Sequence, residues 1–175
     1  NDGGQLYDLL PMPFTEEAVQ YTANRVKRVQ DQLGQRMALE NVSYYTTPKR
    51  DLDEAEFVKA VIEEADCDML LDVNNVYVNS VNHGYEPMDF INKMPLDRVS
   101  YIHIAGHFVE TDGLIVDTHG ANVINPVWDL LAKTYALIGV RPTLLERDFN
   151  IPSMEKLLTE IDAIHDRQQH DGVGQ

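Results

Sequence analysis

The sequence predicts an α/β fold built from parallel β-α-β units, on two observations. Amphipathic stretches with helical spacing alternate with short runs that are almost wholly apolar, the order that parallel strands joined by crossover helices produce. Those runs are apolar on both faces, as expected of a sheet covered on both sides. Four strands are expected, with a helix before the first and another after the last.

Residues 15–33 read as a helix. Thr15 is placed to cap it, Ala18, Thr22, Val26, Val29 and Leu33 recur at helical spacing, and Gly34 ends it. The first strand is the run 37–40. A second helix spans 53–65, with Asp53 and Glu56 in capping-box spacing and Phe57, Ala60 and Val61 on one face. The second strand covers 69–73. A long loop, NNVYVNSVNHGYEP over 74–87, precedes a short helix at 87–93 and a third strand at 99–105. A second long loop covers 106–124. Asn125 and Pro126 then open a helix through Trp128, Leu131, Tyr135 and Ile138, stopped by Gly139. The fourth strand, 143–146, leads to Pro152 and a last amphipathic helix through Met154, Leu157, Leu158, Ile161 and Ile164. The tail QQHDGVGQ has nothing to bury and is expected to fray.

At 175 residues the chain has the size of one ordinary domain, and no low-complexity linker divides it. Its 29 acidic and 14 basic residues give a formal net charge of −15. A surface this negative repels phosphate backbones, and no Lys/Arg cluster offsets it, so nucleic acid is not the expected partner. No apolar stretch approaches the roughly 20 residues that a membrane span needs, and no signal-peptide pattern opens the sequence. The single cysteine, Cys67, has no internal partner, so a reducing cytoplasm is the expected compartment. Cys67 reads as a small buried hydrophobe rather than a nucleophile.

The strand ends carry the chemistry. Glu40 closes MALE, Asp72 closes MLLD, His103 comes late in YIHIAGH, and Glu146 closes TLLE. In a β/α barrel the reactive groups sit at the C-terminal ends of the strands, on one rim. Alternation puts Glu40 on a face with Ala38, Asp72 with Leu70, His103 with Tyr101 and Glu146 with Leu144, so all four face inward at one mouth. One such residue alone reads as a salt bridge or a capped turn. Four of four strands point to a cation, because buried carboxylates without compensating charge are costly. Glu40, Asp72, His103 and Glu146 are therefore the candidate catalytic residues. Asn75, three residues after Asp72, can reach the same ion through a turn, and DTHG puts Asp117 and His119 on one side of an extended segment. His83 and His107 lie in loops over the same rim, as candidates for contact with the ligands or the substrate or for ordinary solvated loop. Asn74 and Arg147, beside Asn75 and Glu146, are candidates for the same outer contacts. The set is oxygen and imidazole without thiolate, which suits iron, manganese or zinc. Seven ligands (Glu40, Asp72, Asn75, His103, Asp117, His119 and Glu146) exceed what one ion takes, so two or three ions are implied.

The segments ENVSYY, LLDVNNVYVNSVNHG, YIHIAGH, DTHG and LLERDFNIP closely resemble the multinuclear non-heme iron-dependent oxidase family, which contains the oxidase of methanobactin biosynthesis. The resemblance runs from LYDLLPMPFTEEAV through NIP. It implies a TIM (β/α)8 barrel of the xylose-isomerase-like kind, shared with the zinc enzyme endonuclease IV. This chain would hold about the last four β/α units, over residues 1–168, followed by a flexible tail at 169–175. By the same resemblance Glu40 bridges metals, and Asp72 and Asn75 are ligands where the endonuclease carries an Asp and a His. His103 is the ligand of the following strand, Asp117 and His119 share another metal, and Glu146 closes the site. Earlier strands of the family's barrel add further histidines.

The activity this implies is an oxidase using two or three iron ions, with mixed valence among the states, and dioxygen to rework a residue, typically cysteine, of a ribosomally made precursor peptide. A partner protein that helps recruit the peptide is implied too, for which the acidic surface and the loops 74–87 and 106–124 are the places to look. Two other readings stand beside it: a metal-dependent hydrolase or isomerase on the same barrel, with zinc or manganese, and a non-catalytic metal-binding or scaffold protein. The negative charge counts against a DNA substrate, and Asn75 in place of a histidine counts against the endonuclease site.

Overall fold

The computed structural model of the chain describes residues 12–171. Residues 1–11, which include the opening of LYDLLPMPFTEEAV, and the tail residues 172–175 lie outside the described residues. Helix α1 (Glu16–Leu33) is capped by the Thr15 hydroxyl, which accepts from the Ala18 N–H at 3.2 Å, and ends on Gly34 at φ 66°. Strand β1 (Ala38–Glu40) follows. Helix α2 (Glu54–Ala65) carries the expected capping box, with Asp53 and Glu56 each accepting from the other's main-chain N–H. Strand β2 (Asp68–Asp72) runs without a linker into α3 (Val73–His83), and α4 (Pro87–Lys93) and a 3-10 turn lead to β3 (Val99–Ile104). After the short strands β4 (Phe108–Val109) and β5 (Ile115–Val116) come α5 (Asn125–Ile138), β6 (Thr143–Leu145) and α6 (Met154–Asp171). Helix α6 thus continues to Asp171, into the segment for which a flexible tail is expected. Cys67 is fully buried, and burial raises its thiol pKa.

Four strands form one parallel sheet in the order β1-β2-β3-β6. One sheet face packs under α2, α3, α4 and α5 in a core that includes Met69, Leu71, Ile102, Ile104, Ile91, Val127 and Leu131, all fully buried. The other face bears Glu40, Asp72 and His103, and is more open: Leu144, the register partner of His103, is 52% exposed. Among the described residues β1 and β6 each pair with one strand only, so both edges of the sheet are unpaired there.

The register between β2 and β3 decides which residues meet at the strand ends. Met69 lies opposite Val99, but the register shifts between Met69 and Leu70, and from there Leu70 pairs with Tyr101 and Asp72 with His103. An unshifted ladder would have put Asp72 beside Ile102, a core residue whose side chain faces the helices. A one-residue slip exchanges the two faces of a strand, and this bulge uses the slip to seat a carboxylate beside an imidazole.

Two expected loops are structured. The segment 74–87 is mostly helical, because Asp72 caps α3 by accepting from the Asn75 N–H at 2.7 Å and because Val73, Val76 and Val78 are fully buried on it. Asparagine is a poor helix former when its side chain competes for its own backbone. Here the amides are engaged elsewhere, and tertiary packing overrides the propensity. In 106–124, β4 and β5 form a hairpin pairing Phe108 with Val116 and Val109 with Ile115. The loop returns against Gly106, where a Cβ would lie 2.1 Å from the Ala121 carbonyl oxygen and 2.5 Å from that of Asn122. These are backbone atoms that cannot swing aside, so Gly106→Ala is expected to cost about 3 kcal/mol and lower Tm by roughly 6–12 °C in a calorimetric scan. Gly113→Ala, at φ 93° in open space, is expected to cost only about 1 kcal/mol.

Candidate metal centre

The sheet delivers Glu40, Asp72, His103 and Glu146 to one place. Each offers a ligand atom, and those atoms lie within 4.8 Å of one another. His103 Nδ1 is 3.0 Å from Glu146 Oε2 and 3.4 Å from Glu40 Oε1, yet neither approach has the alignment of a hydrogen bond. Glu146 follows directly on β6, placed by its N–H donating to the Ile104 carbonyl at 2.9 Å.

A second group adjoins the first through Glu146. His119 Nε2 stands 2.7 Å from Asp117 Oδ1, and its Nδ1 faces Asp148 Oδ2 at 3.2 Å and Glu146 Oε2 at 3.5 Å. His119, Glu146 and Asp148 again present ligand atoms within 4.8 Å of one another. His119 has a left-handed backbone, φ 49°, a sparsely populated conformation for a non-glycine residue and one that recurs at functional sites. Asp148 is not among the residues the sequence singles out; its signal is its place two residues after Glu146, on the same side of an extended segment.

Asp72 is the most constrained member. It is fully buried, one carboxylate oxygen is spent on the α3 cap, and the other, Oδ2, has no partner. Its main chain is gripped by Asn41, whose Oδ1 accepts from the Asp72 N–H and whose Nδ2 donates to the Asp72 carbonyl, both at 2.9 Å. The Asn41 amide thereby extends the β1–β2 ladder past Glu40. The Asn41 carbonyl also accepts from Asn75 Nδ2 at 3.0 Å, which leaves Asn75 Oδ1 buried and unpartnered. Asn41 does not stand out in the sequence because an amide next to a carboxylate carries no pattern of its own.

Helix α3 binds the surrounding loops. Asn75, Asn79 and His83 recur every four residues, on one helix face, and each bonds the main chain of residues 41–44: Asn75 to Asn41, Asn79 to both Val42 and Tyr44, and His83 Nε2 to the Tyr44 carbonyl at 2.8 Å. His83 also stacks on the Tyr44 ring, centroids 4.1 Å apart, and belongs to this fastening rather than to the cluster. Asn74 Nδ2 donates to Asp117 Oδ1 at 2.9 Å, while its Oδ1 faces His107 Nδ1 at 2.8 Å. Ser43 donates to Asp117 Oδ2 at 2.9 Å, and the Asp117 N–H donates to the Tyr45 hydroxyl. Arg147 turns away to Glu160, 2.6 Å distant. His165 is exposed on α6.

The donor set fits a cation. Asp72 Oδ2, Asn75 Oδ1, His103 Nδ1, His119 Nε2 and Glu146 Oε2 are all buried without a hydrogen-bond partner. Among the described residues no Lys or Arg forms an ion pair with Glu40, Asp72, Asp117, Glu146 or Asp148. Orphaned buried polar atoms are rare, and five of the eight among the described residues belong to this set, the others being the Tyr44 hydroxyl, His107 Nε2 and Arg147 Nε.

These surroundings also hold protons. Burial pushes the Asp72 carboxyl up to about 7, with the charges of Glu40 and Asp117 adding to it against the Asn75 N–H. Burial alone would lower His119, but the Asp117 carboxylate 2.7 Å away, with Asp72 and Glu146, outweighs it and raises His119 to about 9. His103 is raised as well, burial again being outweighed by Glu40 and Glu146. His107, with no such neighbours in contact, is lowered by burial.

The whole chain matches known proteins closely. Residues 1–169 match the model of a family described as the RiPP precursor modification enzymes MbnB/TglH/ChrH, RiPPs being ribosomally made, post-translationally modified peptides. This chain belongs to that family. It is 61% identical over 162 residues to a UPF0276 protein of Nitrosospira multiformis, covering 92% of this chain and 57% of that one. It is 57% identical over 169 residues to one of Acinetobacter baylyi, covering 97% and 59%. With one of Neisseria meningitidis it shares 56% identity over 175 residues, covering 98% and 62%. The chain spans about three-fifths of the length of these curated relatives.

A divalent cation entering this cluster has to displace protons, since ligands bind deprotonated. With His119 protonated up to about 9 and Asp72 up to about 7, lowering the pH restores the competing protons. Apparent metal affinity is expected to fall about tenfold per pH unit from 9 to 7 and more steeply below 7, measured by competition against a metallochromic indicator. An affinity flat between pH 9 and 6 would contradict this assignment of protons.

Proposed function

We propose that this chain is the ligand-bearing part of a multinuclear iron-dependent oxidase that uses dioxygen to modify a cysteine of a ribosomally made precursor peptide. The observation that carries this reading is the convergence of Glu40, Asp72, His103 and Glu146 from the ends of four adjacent strands, three of them bringing a buried donor atom without a hydrogen-bond partner. Membership in a family of peptide-modifying enzymes supplies the substrate class. The two free sheet edges and the extra length of the relatives support a closed (β/α)8 barrel of the xylose-isomerase-like kind, to which this chain contributes about the last four units. Residues 1–168 form that part of a single domain. No helix among the described residues is long and apolar enough to cross a membrane, and the lone buried cysteine suits a reducing cytoplasm.

The roles follow from position. Glu40, at the cluster and a third exposed on its side chain, would be the carboxylate shared between ions. Asp72, with Asn75 beside it, His103 and Glu146 would complete that site, while Asp117 and His119 would hold a further ion. Iron held there would supply a Lewis acid for the substrate thiolate and electrons for dioxygen reduction. The protein's own work is to fix ligand geometry: Asp72 is immobilised at both its main chain and one oxygen, and Asn75 offers a neutral carbonyl, a weaker donor that yields when substrate arrives. A partner protein that recruits the peptide would meet the 106–124 hairpin beside Asp117. Zinc or manganese suits the same donors, and a hydrolase would then form product without consuming oxygen.

The test is iron per chain together with oxygen uptake on a cysteine-containing precursor peptide, in the full-length protein. Glu40→Gln is expected to lower iron content and abolish turnover, whereas Glu63→Gln, on the exposed face of α2, leaves both unchanged. Asp72→Ala is expected to strip more iron than Asn75→Ala, which retains metal and loses most activity. Equal, wild-type iron in Glu40→Gln and Glu63→Gln would reduce Glu40 to a structural carboxylate.

A further inference from the structure

Helix α3 has a residue whose bonds the metal centre leaves unexplained. Asn82 stands eight positions after Asn74, on the same side of the helix and next to the stripe of Asn75, Asn79 and His83. Its Nδ2 donates to the Ile115 carbonyl at 2.8 Å and its Oδ1 accepts from the Ile115 N–H at 2.9 Å. The amide thus acts as a one-residue strand against the edge of β5 that does not face β4.

That edge is what places Asp117. The β4–β5 hairpin has two residue pairs, far too short to hold itself in water. Its strand β4 is solvated, with Phe108 52% and Val109 55% exposed, so the hairpin is anchored through β5. Ile115 is buried at 5% and held by Asn82. Asp117 lies two residues on, about 7 Å along an extended chain. There its carboxylate meets Asn74, Ser43 and His119. Asn74 and Asn82 therefore grip one segment at two points from one helix: Asn74 at the carboxylate, Asn82 at the main chain that delivers it.

We propose that Asn82 is a positioning residue for the Asp117–His119 half of the metal centre, setting the hairpin so that this pair reaches its ion. The proposal rests on the reading of Asp117 and His119 as ligands. It assigns the asparagine-rich stretch of α3 two tasks, holding the loop after Glu40 with one stripe and the segment before Asp117 with the next. The two bonds to Ile115 use the donor and the acceptor that a side-chain amide carries side by side.

The experiment titrates ferrous iron, without oxygen, into the full-length protein. It compares wild type, Asn82→Ala, Asn82→Leu, His119→Ala and Val81→Ala, Val81 being an exposed neighbour on the same turn. Leu nearly matches Asn in shape and makes neither bond, so it separates hydrogen bonding from packing and covers the case in which the Ala variant fails to fold. Asn82→Ala and Asn82→Leu are expected to weaken, on the order of 10- to 100-fold, the class of iron that His119→Ala removes. The remaining iron and the Tm of the metal-free protein should stay near wild type, and Val81→Ala should match wild type throughout. Wild-type affinity in Asn82→Leu would overturn the proposal while leaving the metal reading intact. So would an equal loss of every iron class in step with Tm, which marks a merely structural role. A wild-type protein that binds no iron would remove the metal reading itself, and this inference with it.

Discussion

Asp72 is a carboxylate buried to zero exposure with one oxygen bonded and the other facing Glu40, His103 and Glu146. Burying such a group unpaired costs several kcal/mol, and the cluster around it is acidic rather than basic. The protein spends structure on keeping Asp72 there. A register shift in β2–β3 brings it beside His103, Asn41 clamps its main chain, and its own Oδ1 starts a helix. That investment makes sense if the compensating charge is a bound cation. In the metal-free chain the same surroundings favour the protonated forms of Asp72 and His119.

The neighbouring architecture depends on this residue. Because Asp72 is both the end of β2 and the cap of α3, the helix leaves the strand with no linker and stands over the rim. Its polar faces then meet main chain instead of water. Asn75, Asn79 and His83 fasten the loop after Glu40, while Asn74 and Asn82 fasten the segment that carries Asp117. The amides replace the ladder bonds that irregular loops lack, so candidate ligands on loops acquire the rigidity of those on strands. Asp148 and Glu146 flank His119 Nδ1 in the same way that Asp117 faces its Nε2.

Much of this is legible in the sequence, for physical reasons that differ by element. The buried strands announce themselves as apolar runs, and the polar residues at their ends stand out because nothing in a sheet's packing asks for them. Glu40, Asp72, His103 and Glu146 are visible that way and do lie together. Helix α3 reads as a loop because its asparagines and β-branched valines carry low helix propensity. What stabilises it, a carboxylate cap and amides bonded to other segments, is tertiary and invisible to periodicity. The β4–β5 hairpin escapes sequence reasoning because two-residue strands are shorter than any alternation can reveal. Asn41, Ser43, Tyr45 and Asp148 escape it because their roles depend on which loops meet. His83 and Arg147 are legible as polar residues near the rim; only the fold shows that one fastens Tyr44 and the other pairs with Glu160.

The central claim is that the orphaned donors share bound metal. Crystals of the full-length protein, prepared without oxygen and measured on both sides of the iron absorption edge, test it most directly. Anomalous peaks are predicted at two positions. One lies among Glu40, Asp72, His103 and Glu146, with Asn75 beside Asp72, and the other beside Asp117 and His119. A map with no anomalous density at either position, and with a Lys or Arg side chain from the rest of the protein seated between Glu40 and Glu146, would contradict the account.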